Sequence, residues 1–475
     1  MSRRAALGAL LAAAALAVAG CGGEDAGPRG ASFAPAGTDV FVSLVTDFDS
    51  EQWEDARAFV ARFPDGDRFL AFLEEELLVP GVDLEGDVEP ALGPELGIAV
   101  LDLEEEIVVG FTEAEDPEKL AELLREAGKE IVTREIEGWT VFAEDAQALG
   151  AFEDARKEGS LAESDDFEAV TGDLVDEALL RVYASGEGVE GAFGAVAELP
   201  VSLPSTAFAL VAEPDTLRLE GVAELEPFER FVSEPYEAEL PETVPAGAFL
   251  YLSFKDLESP LSALRDLFAE LEPDLERDFA RVESVLGVSL EEDVLPLFAR
   301  EGALYARPGF PVPEATLVLQ VDDERAARET LDELAGLART FLGLAEPTTT
   351  SVEGAEVVEV PVSEFVSLYY GVFDGKLVLT TSLDGIRDLR EGRGTLTEDE
   401  AFRAALEEAG VPDETVGFAY VDLGEAIPLV LDLLGFAGDE VPAVVRDSLE
   451  PLESLVAYGD AEDDVLRFSA FLGVE

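Results

Sequence analysis

Gly81-Val82-Asp83-Leu84-Glu85-Gly86-Asp87-Val88-Glu89-Pro90 returns 206 residues later as Gly287-Val288-Ser289-Leu290-Glu291-Glu292-Asp293-Val294-Leu295-Pro296, with Gly, Val, Leu, Glu, Asp, Val and Pro kept in order and without a gap. Self-similarity at a fixed offset is the sequence mark of a duplicated unit. Upstream, Pro35-Ala36-Gly37 leads into Val40-Phe41-Val42-Ser43-Leu44, and Pro245-Ala246-Gly247 leads into Leu250-Tyr251-Leu252-Ser253-Phe254. Downstream, Gly138 before Val141-Phe142 answers Gly375 before Val378-Leu379, and Gly159-Ser160-Leu161-Ala162-Glu163 answers Gly394-Thr395-Leu396-Thr397-Glu398. Tyr183 and Tyr420 fall in equivalent strands, and Leu217-Arg218-Leu219 matches Leu466-Arg467-Phe468 in the last ones. The offset grows from 206 at Pro90 to 237 at Gly138, so the second copy carries about 31 more residues. Among them a strand over Val366–Val372 is expected to pair with Lys376–Thr380 around Asp374-Gly375.

Each copy reads as α+β: a mainly antiparallel sheet with helices packed on one face, giving two layers. Hairpin-like pairs lie at Gly97–Leu101 with Ile107–Thr112 and at 301–307 with 315–321. Period-two alternation in Leu217, Leu219, Gly221, Ala223 and Leu225 predicts strands with one buried face. Asp116-Pro117 and Asp323-Glu324 open helices that carry Leu120, Leu123, Leu124 and Leu331, Leu334, Leu337. In the second copy Leu261, Leu264, Phe268, Leu271, Leu275, Phe279, Val282 and Leu286 mark an amphipathic run, divided at Pro273. The expected division is 1–20 signal, 21–33 flexible acidic tether, 34–225 first unit, 226–243 linker and 244–475 second unit. Glu226–Thr243, acidic with three prolines, supplies the linker.

The layout resembles a family of bacterial envelope proteins known as domain of unknown function 3352. The resemblance covers most of 34–475. It rests on the Pro-Ala-Gly strand openings, the Gly-Val-x-Leu-x-x-Asp-Val-x-Pro segments, and the Gly-x-Leu-x-Glu segments ahead of Phe167 and Phe402. It implies no activity and brings no functional residues with it.

The N-terminus has its own signature. Arg3 and Arg4 precede an apolar run from Ala5 to Ala19, and Val18-Ala19-Gly20-Cys21 places small residues before the chain's one cysteine. A charged n-region, an apolar h-region and a small-residue cleavage site make an export signal. With a cysteine next in line it resembles the lipobox of bacterial lipoproteins, which implies a diacylglyceryl group on the thiol of Cys21. The run of about 15 residues is shorter than the roughly 20 a spanning helix needs. The reading is therefore a protein of the cell membrane, lipid-anchored through Cys21 on the extracytoplasmic face. The next most apolar stretch, Ala426–Ala437, contains Asp432 and reads as a core helix.

The net charge of −74 becomes −76 once Arg3 and Arg4 are removed with the signal. Such a surface repels phosphate backbones, so no nucleic-acid partner is expected. Part of the bias toward arginine follows from a GC-rich codon supply, but 105 acidic against 31 basic residues does not. A saline or alkaline setting outside the cell fits the excess, because salt screens self-repulsion.

With no histidine in the chain, a Ser-His-Asp triad and histidine-ligated metals are excluded. No phosphate-cradling loop with lysine and no dinucleotide fingerprint is present. Asp47-Phe48-Asp49-Ser50-Glu51 starts like a calcium loop, but Gln52 stands where the turn glycine belongs. Gly459-Asp460-Ala461-Glu462-Asp463-Asp464 offers oxygens and reads first as a turn. Trp53 and Trp139 are candidates for a ligand cleft and read first as core. No catalytic, metal or cofactor residue is named; Cys21 is the one expected site. The expected function is a non-catalytic binding or structural module of the cell envelope. The rivals are a solute-binding lipoprotein of a transporter, its two lobes clasping a ligand across 226–243, and a glycoside hydrolase working with two carboxylates.

Overall fold

The computed structural model describes residues 29–475 apart from 65, 67–87, 127–130, 194–201, 227, 272–276, 278–282, 284–286, 311, 364–365, 393, 438–440 and 463. The chain forms two compact units. The first comprises Met1–Pro227 with Ala443–Pro451 and Glu462–Glu475; the second comprises Phe228–Pro442 with Leu452–Ala461. The C-terminal strand Val465–Val474 thus belongs to the first compact unit, whereas the sequence division into 34–225 and 244–475 places it in the second.

In the first unit the strands are β1 (Val40–Val45), β2 (Glu95–Asp102), β3 (Ile107–Thr112), β4 (Val132–Ile136), β5 (Trp139–Ala143), β6 (Leu180–Ala184), β7 (Thr206–Ala212) and β8 (Thr216–Glu224). They pair antiparallel in the order β4–β5–β3–β2–β1–β6–β7–β8, and β8 pairs with Val465–Val474. The second unit contains a short β9 (Tyr236–Glu237), then β10 (Leu250–Lys255), β11 (Glu301–Arg307), β12 (Glu314–Gln320), β13 (Thr348–Val352), β14 (Ala355–Pro361), β15 (Ser367–Phe373) and β16 (Lys376–Thr380). β17 (Glu414–Thr415), β18 (Gly417–Asp422) and β19 (Leu452–Glu462) follow. Their order is β13–β14–β15–β16–β12–β11–β10–β18–β19, again antiparallel, with β9 on β17 apart. The α+β class and both hairpin-like pairs are as the alternation implied.

Tight hairpins set the local register. Glu137-Gly138, Glu353-Gly354 and Asp374-Gly375 each place two successive residues at positive φ, the geometry of a type I′ turn. The expected β15–β16 hairpin is therefore present. By pairing position, however, β16 beside β12 stands where β5 stands beside β3, and β15 stands where β4 does. The strands without a counterpart among the described residues of the first unit are β13 and β14.

The helices do not keep to one face. In the first unit Leu120 of the helix Pro117–Glu126 packs with Ala91, Leu92 and Phe142. On the other side of β5, Val141 and Ala143 pack with Leu149, Phe152, Phe167 and Val170 of two later helices. In the second unit Leu331 of the helix Glu324–Leu342 joins Leu317, Leu319 and Leu377. Phe402 lies on the opposite parity, its ring 5.9 Å from Tyr251 and 5.1 Å from Tyr420. The two-layer expectation gives way to helices on both faces because the central strands are apolar on both parities; Phe41, Val42 and Leu44 are all buried.

Three further expectations change. Arg29–Phe33, expected in the tether, is a helix with Ala31 and Phe33 buried, and 21–28 lie outside the described residues. Residues 228–243 are not a loose linker: Tyr236 and Leu240 are buried in the second unit, where a few apolar anchors hold the acidic segment. The helix Leu423–Ala437 forms around Pro428, but Val430, Leu433 and Leu434 are exposed, so it is a surface helix rather than a core one. No described helix is long and apolar enough to cross a membrane. In the amphipathic run, Glu258–Leu271 is helical, while Pro273, Leu275, Phe279, Val282 and Leu286 lie outside the described residues, as do the signal and 81–87.

Candidate functional site

Both units begin a strand beside their central one with a buried glutamate. Glu95, the first residue of β2, accepts hydrogen bonds from the Gly30 N–H at 3.0 Å and from Ser43 Oγ at 2.6 Å. Glu301, the first residue of β11, accepts from the N–H groups of Glu239 at 3.1 Å and Leu240 at 2.8 Å, and from Gln320 Nε2 at 3.3 Å. Burial raises both carboxyls above the ordinary range. The Ser43 hydroxyl, the Gly30 amide and the Arg181 charge oppose the rise at Glu95; the Leu240 and Glu239 amides and Lys255 oppose it at Glu301. A buried carboxylate needs such donors to be tolerated. These two acids are occupied in fastening the chain that enters each unit onto its sheet.

Elsewhere the interiors diverge. Across the first sheet, one inward row runs Tyr183, Phe41, Ala99, Val109, Ala143. The row at the same pairing positions of the second sheet runs Tyr420, Tyr251, Tyr305, Thr316, Thr380. Thr316 and Thr380 bond to one another at 2.7 Å, and the Tyr251 and Tyr305 hydroxyls are fully buried beside Ser253 and Thr316. Burial pushes the Tyr305 phenol upward; its contact with the Thr316 hydroxyl opposes the rise, the Glu314 charge adds to it and Arg307 opposes it.

One pleat beyond Tyr305, Arg307 and Glu314 face each other across β11 and β12. Arg307 Nε donates to Glu314 Oε1 at 2.8 Å and Nη2 to Oε2 at 3.1 Å, a bidentate fork. Nη2 also donates at 2.7 Å to Asp388 Oδ2, from the helix Leu383–Glu391. Glu314 is buried and Arg307 largely so, with side chains 7% and 15% exposed. Burial alone would lower the Arg307 pKa, but the hydrogen bonds of Glu314 and Asp388 outweigh it and raise it. Gly385 lets the helix approach: a Cβ there would stand 2.9 Å from the Glu314 carboxylate. By sequence position the first unit has Leu101 and Ile107 there, with a bulge at Leu101 that puts Asp102 opposite Ile107, and, six residues after its N-cap Asp145, Ala151; in the second unit Asp388 stands six residues after Ser382.

Arg307 and Glu314 line a cavity of about 510 Å³ together with Phe310, Thr381, Ser382 and Glu425. Phe310 is 97% exposed. Arg307 Nη1 makes no hydrogen bond among the described residues. Burial, with the charges of Asp422 and Asp399, raises the Glu425 carboxyl.

The residues singled out in the sequence lie elsewhere. Cys21 and Asp463 fall outside the described residues. Ser50 is a helix N-cap accepting from the Trp53 amide, and Phe48 and Trp53 are core, so the calcium-like stretch is a helix start. Gly459 to Glu462 run within β19, and Glu462 bonds to Arg467. Trp53 is fully buried with Nε1 donating to the Val45 carbonyl at 2.9 Å, and Trp139 stacks on Phe33 at 4.9 Å. Both are core residues. Among the described residues no group of three or more acidic or thiol side chains is placed to hold a metal ion. The cavity was missed because single residues do not announce it. Comparing inward positions between the two units would have found it, since polar residues stand in one where mostly apolar ones stand in the other.

Comparison with curated proteins finds no match, and comparison with solved structures finds none. The family described as a protein of unknown function (DUF3352) matches residues 112–474. That span is more than half of the chain, which therefore belongs to the DUF3352 family.

Proposed function

We propose that the chain is a lipid-anchored extracytoplasmic protein, held to the cell membrane through Cys21, whose two units are copies of one α+β design serving a non-catalytic binding or structural role in the envelope. The observation that carries the role is the employment of Glu95 and Glu301. With Glu314, which Arg307 holds, they are the buried carboxyls among the described residues, and each is engaged by donors of its own chain.

The duplication is supported by matching detail. Pro35 bridges Ser160 and Pro245 bridges Thr395. Ser160–Glu163 and Thr395–Glu398 are both capping boxes. Phe167 meets Tyr183 edge-on at 5.1 Å, and Phe402 meets Tyr420 edge-on at 5.1 Å. The sequence offset of 206 also carries Glu95 onto Glu301.

The anchor is tested by detergent phase separation and fatty-acid labelling of the wild type and of Cys21→Ser. The wild type is expected in the detergent phase and labelled, the variant unlabelled and either released or unprocessed. A wild type that stays in the aqueous phase without label would remove the anchoring claim.

A further inference from the structure

We infer that the cavity at Arg307, Glu314 and Glu425 binds a small uncharged ligand rich in hydroxyl groups, of the saccharide class. The inference deepens the binding-module reading and rests on it.

The first argument is redundancy. By sequence position the first unit has Leu101, Ile107, Val109, Ala143 and Ala151 where the second has Arg307, Glu314, Thr316, Thr380 and Asp388, and a bulge at Leu101 sets Asp102, not an arginine, opposite Ile107. Burying an ion pair is commonly no better for stability than apolar side chains of similar volume. Just below these charges Tyr305 buries a hydroxyl where the first unit has Ala99. The fold does not need this polar set, so its presence at a cavity points to a ligand.

Charge selects the ligand class. Arg307 is shared between Glu314 and Asp388, and Asp384 on the cavity wall is paired with Arg387, so among the described lining residues no positive charge is left for an anion. Long-range repulsion from a chain of net charge −74 acts the same way. A cation finds the floor already occupied by the Arg307 guanidinium. What remains is a mixture of directional groups. Arg307 Nη1 is an unused donor. Ser382 Oγ accepts from the Asp384 N–H at 3.1 Å and keeps its proton to donate. Glu314 and Glu425 are acceptors on the wall. Alternating donors and acceptors beside an exposed aromatic ring match hydroxyls that both give and take hydrogen bonds, with C–H faces that lie on Phe310.

The purified full-length chain is titrated by ligand-observed NMR with glucose, galactose, mannose and trehalose, and in parallel with spermidine and citrate. Saturable binding of at least one saccharide is expected. It should weaken about tenfold in Phe310→Ala and in Glu425→Gln, two surface changes that leave the core intact, and disappear in Arg307→Leu/Glu314→Ile/Asp388→Ala. Binding of none of the four, binding of spermidine or citrate in their place, or saccharide binding indifferent to all three variants would overturn the inference. Release of a hydrolysed product would overturn the non-catalytic reading while leaving the site in place, and failure of the lipid anchor touches neither.

Discussion

Replacing Arg307, Glu314 and Asp388 together by the residues of the first unit should leave the second unit folded, whereas replacing Arg307 alone should not. Arg307→Leu leaves the Glu314 carboxylate, 7% exposed, without the fork that neutralises it. Removing one partner of a buried pair typically costs about 3–5 kcal/mol. For a unit of this size, 1 kcal/mol moves the midpoint by about 2–4 °C, so Arg307→Leu should lower the melting temperature of the second unit by roughly 6–20 °C. The triple variant Arg307→Leu/Glu314→Ile/Asp388→Ala removes all three charges and should lie between unchanged and about 1–4 kcal/mol more stable. Both tryptophans, Trp53 and Trp139, belong to the first unit. Tryptophan fluorescence therefore follows that unit alone, while calorimetry follows both. The expected pattern is a fluorescence melt unmoved in either variant, with the second calorimetric transition lowered only in Arg307→Leu. A triple variant as unstable as the single one would show that the charged set is required for packing, and the redundancy argument would fail.

In salt, the melting temperature should rise by several degrees, on the order of 1–3 kcal/mol, between about 0.01 and 1 M sodium chloride, because screening removes self-repulsion of the excess acids; a melt flat in salt would refute it. Acidification from pH 7.5 to 5 should also stabilise. Glu95 and Glu301 have folded pKa values above their ordinary 4.5, so the folded state binds their protons more tightly; that contribution is complete below 4.5 and is lost as pH rises through the folded value. Asp323, lowered from 3.8 by the Ala326 and Arg325 amides, acts in the opposite sense only at still lower pH. Stability that falls steadily from pH 7.5 to 5 would contradict this. Glu95→Ala strands the Gly30 amide and the Ser43 hydroxyl and should cost about 2–4 kcal/mol in the fluorescence melt, and Glu95→Gln, which keeps an acceptor, about half as much; equal losses would show that the carboxylate does not act as the clamp.

Read alone, the sequence determined what is local. Asp116 and Asp323 beside Pro117 and Glu324 announce helix starts, and both aspartates accept the expected amides. Asp374-Gly375 announces a type I′ turn, and alternation announces strands, because each depends only on the backbone preferences of neighbouring residues. The recurrence of the Pro90 segment at Pro296, on which the proposed duplication rests, is visible in the sequence, and so is the stretch before Cys21 on which the proposed export signal and anchor rest.

Tertiary structure decided what depends on which strands become neighbours. Arg307 meets Asp388 across 81 residues, and Tyr251 lies between Tyr305 and Tyr420 only through the β18–β10–β11 register. Burial of Phe33, exposure of Val430 and the pairing of β8 with Val465–Val474 are also non-local. A charge in a sequence does not state whether water or another charge will face it. Here the inward parity of β11 and β12 turned two ordinary residues, Arg307 and Glu314, into the buried floor of a cavity, since register alone determines which side chains are removed from water together.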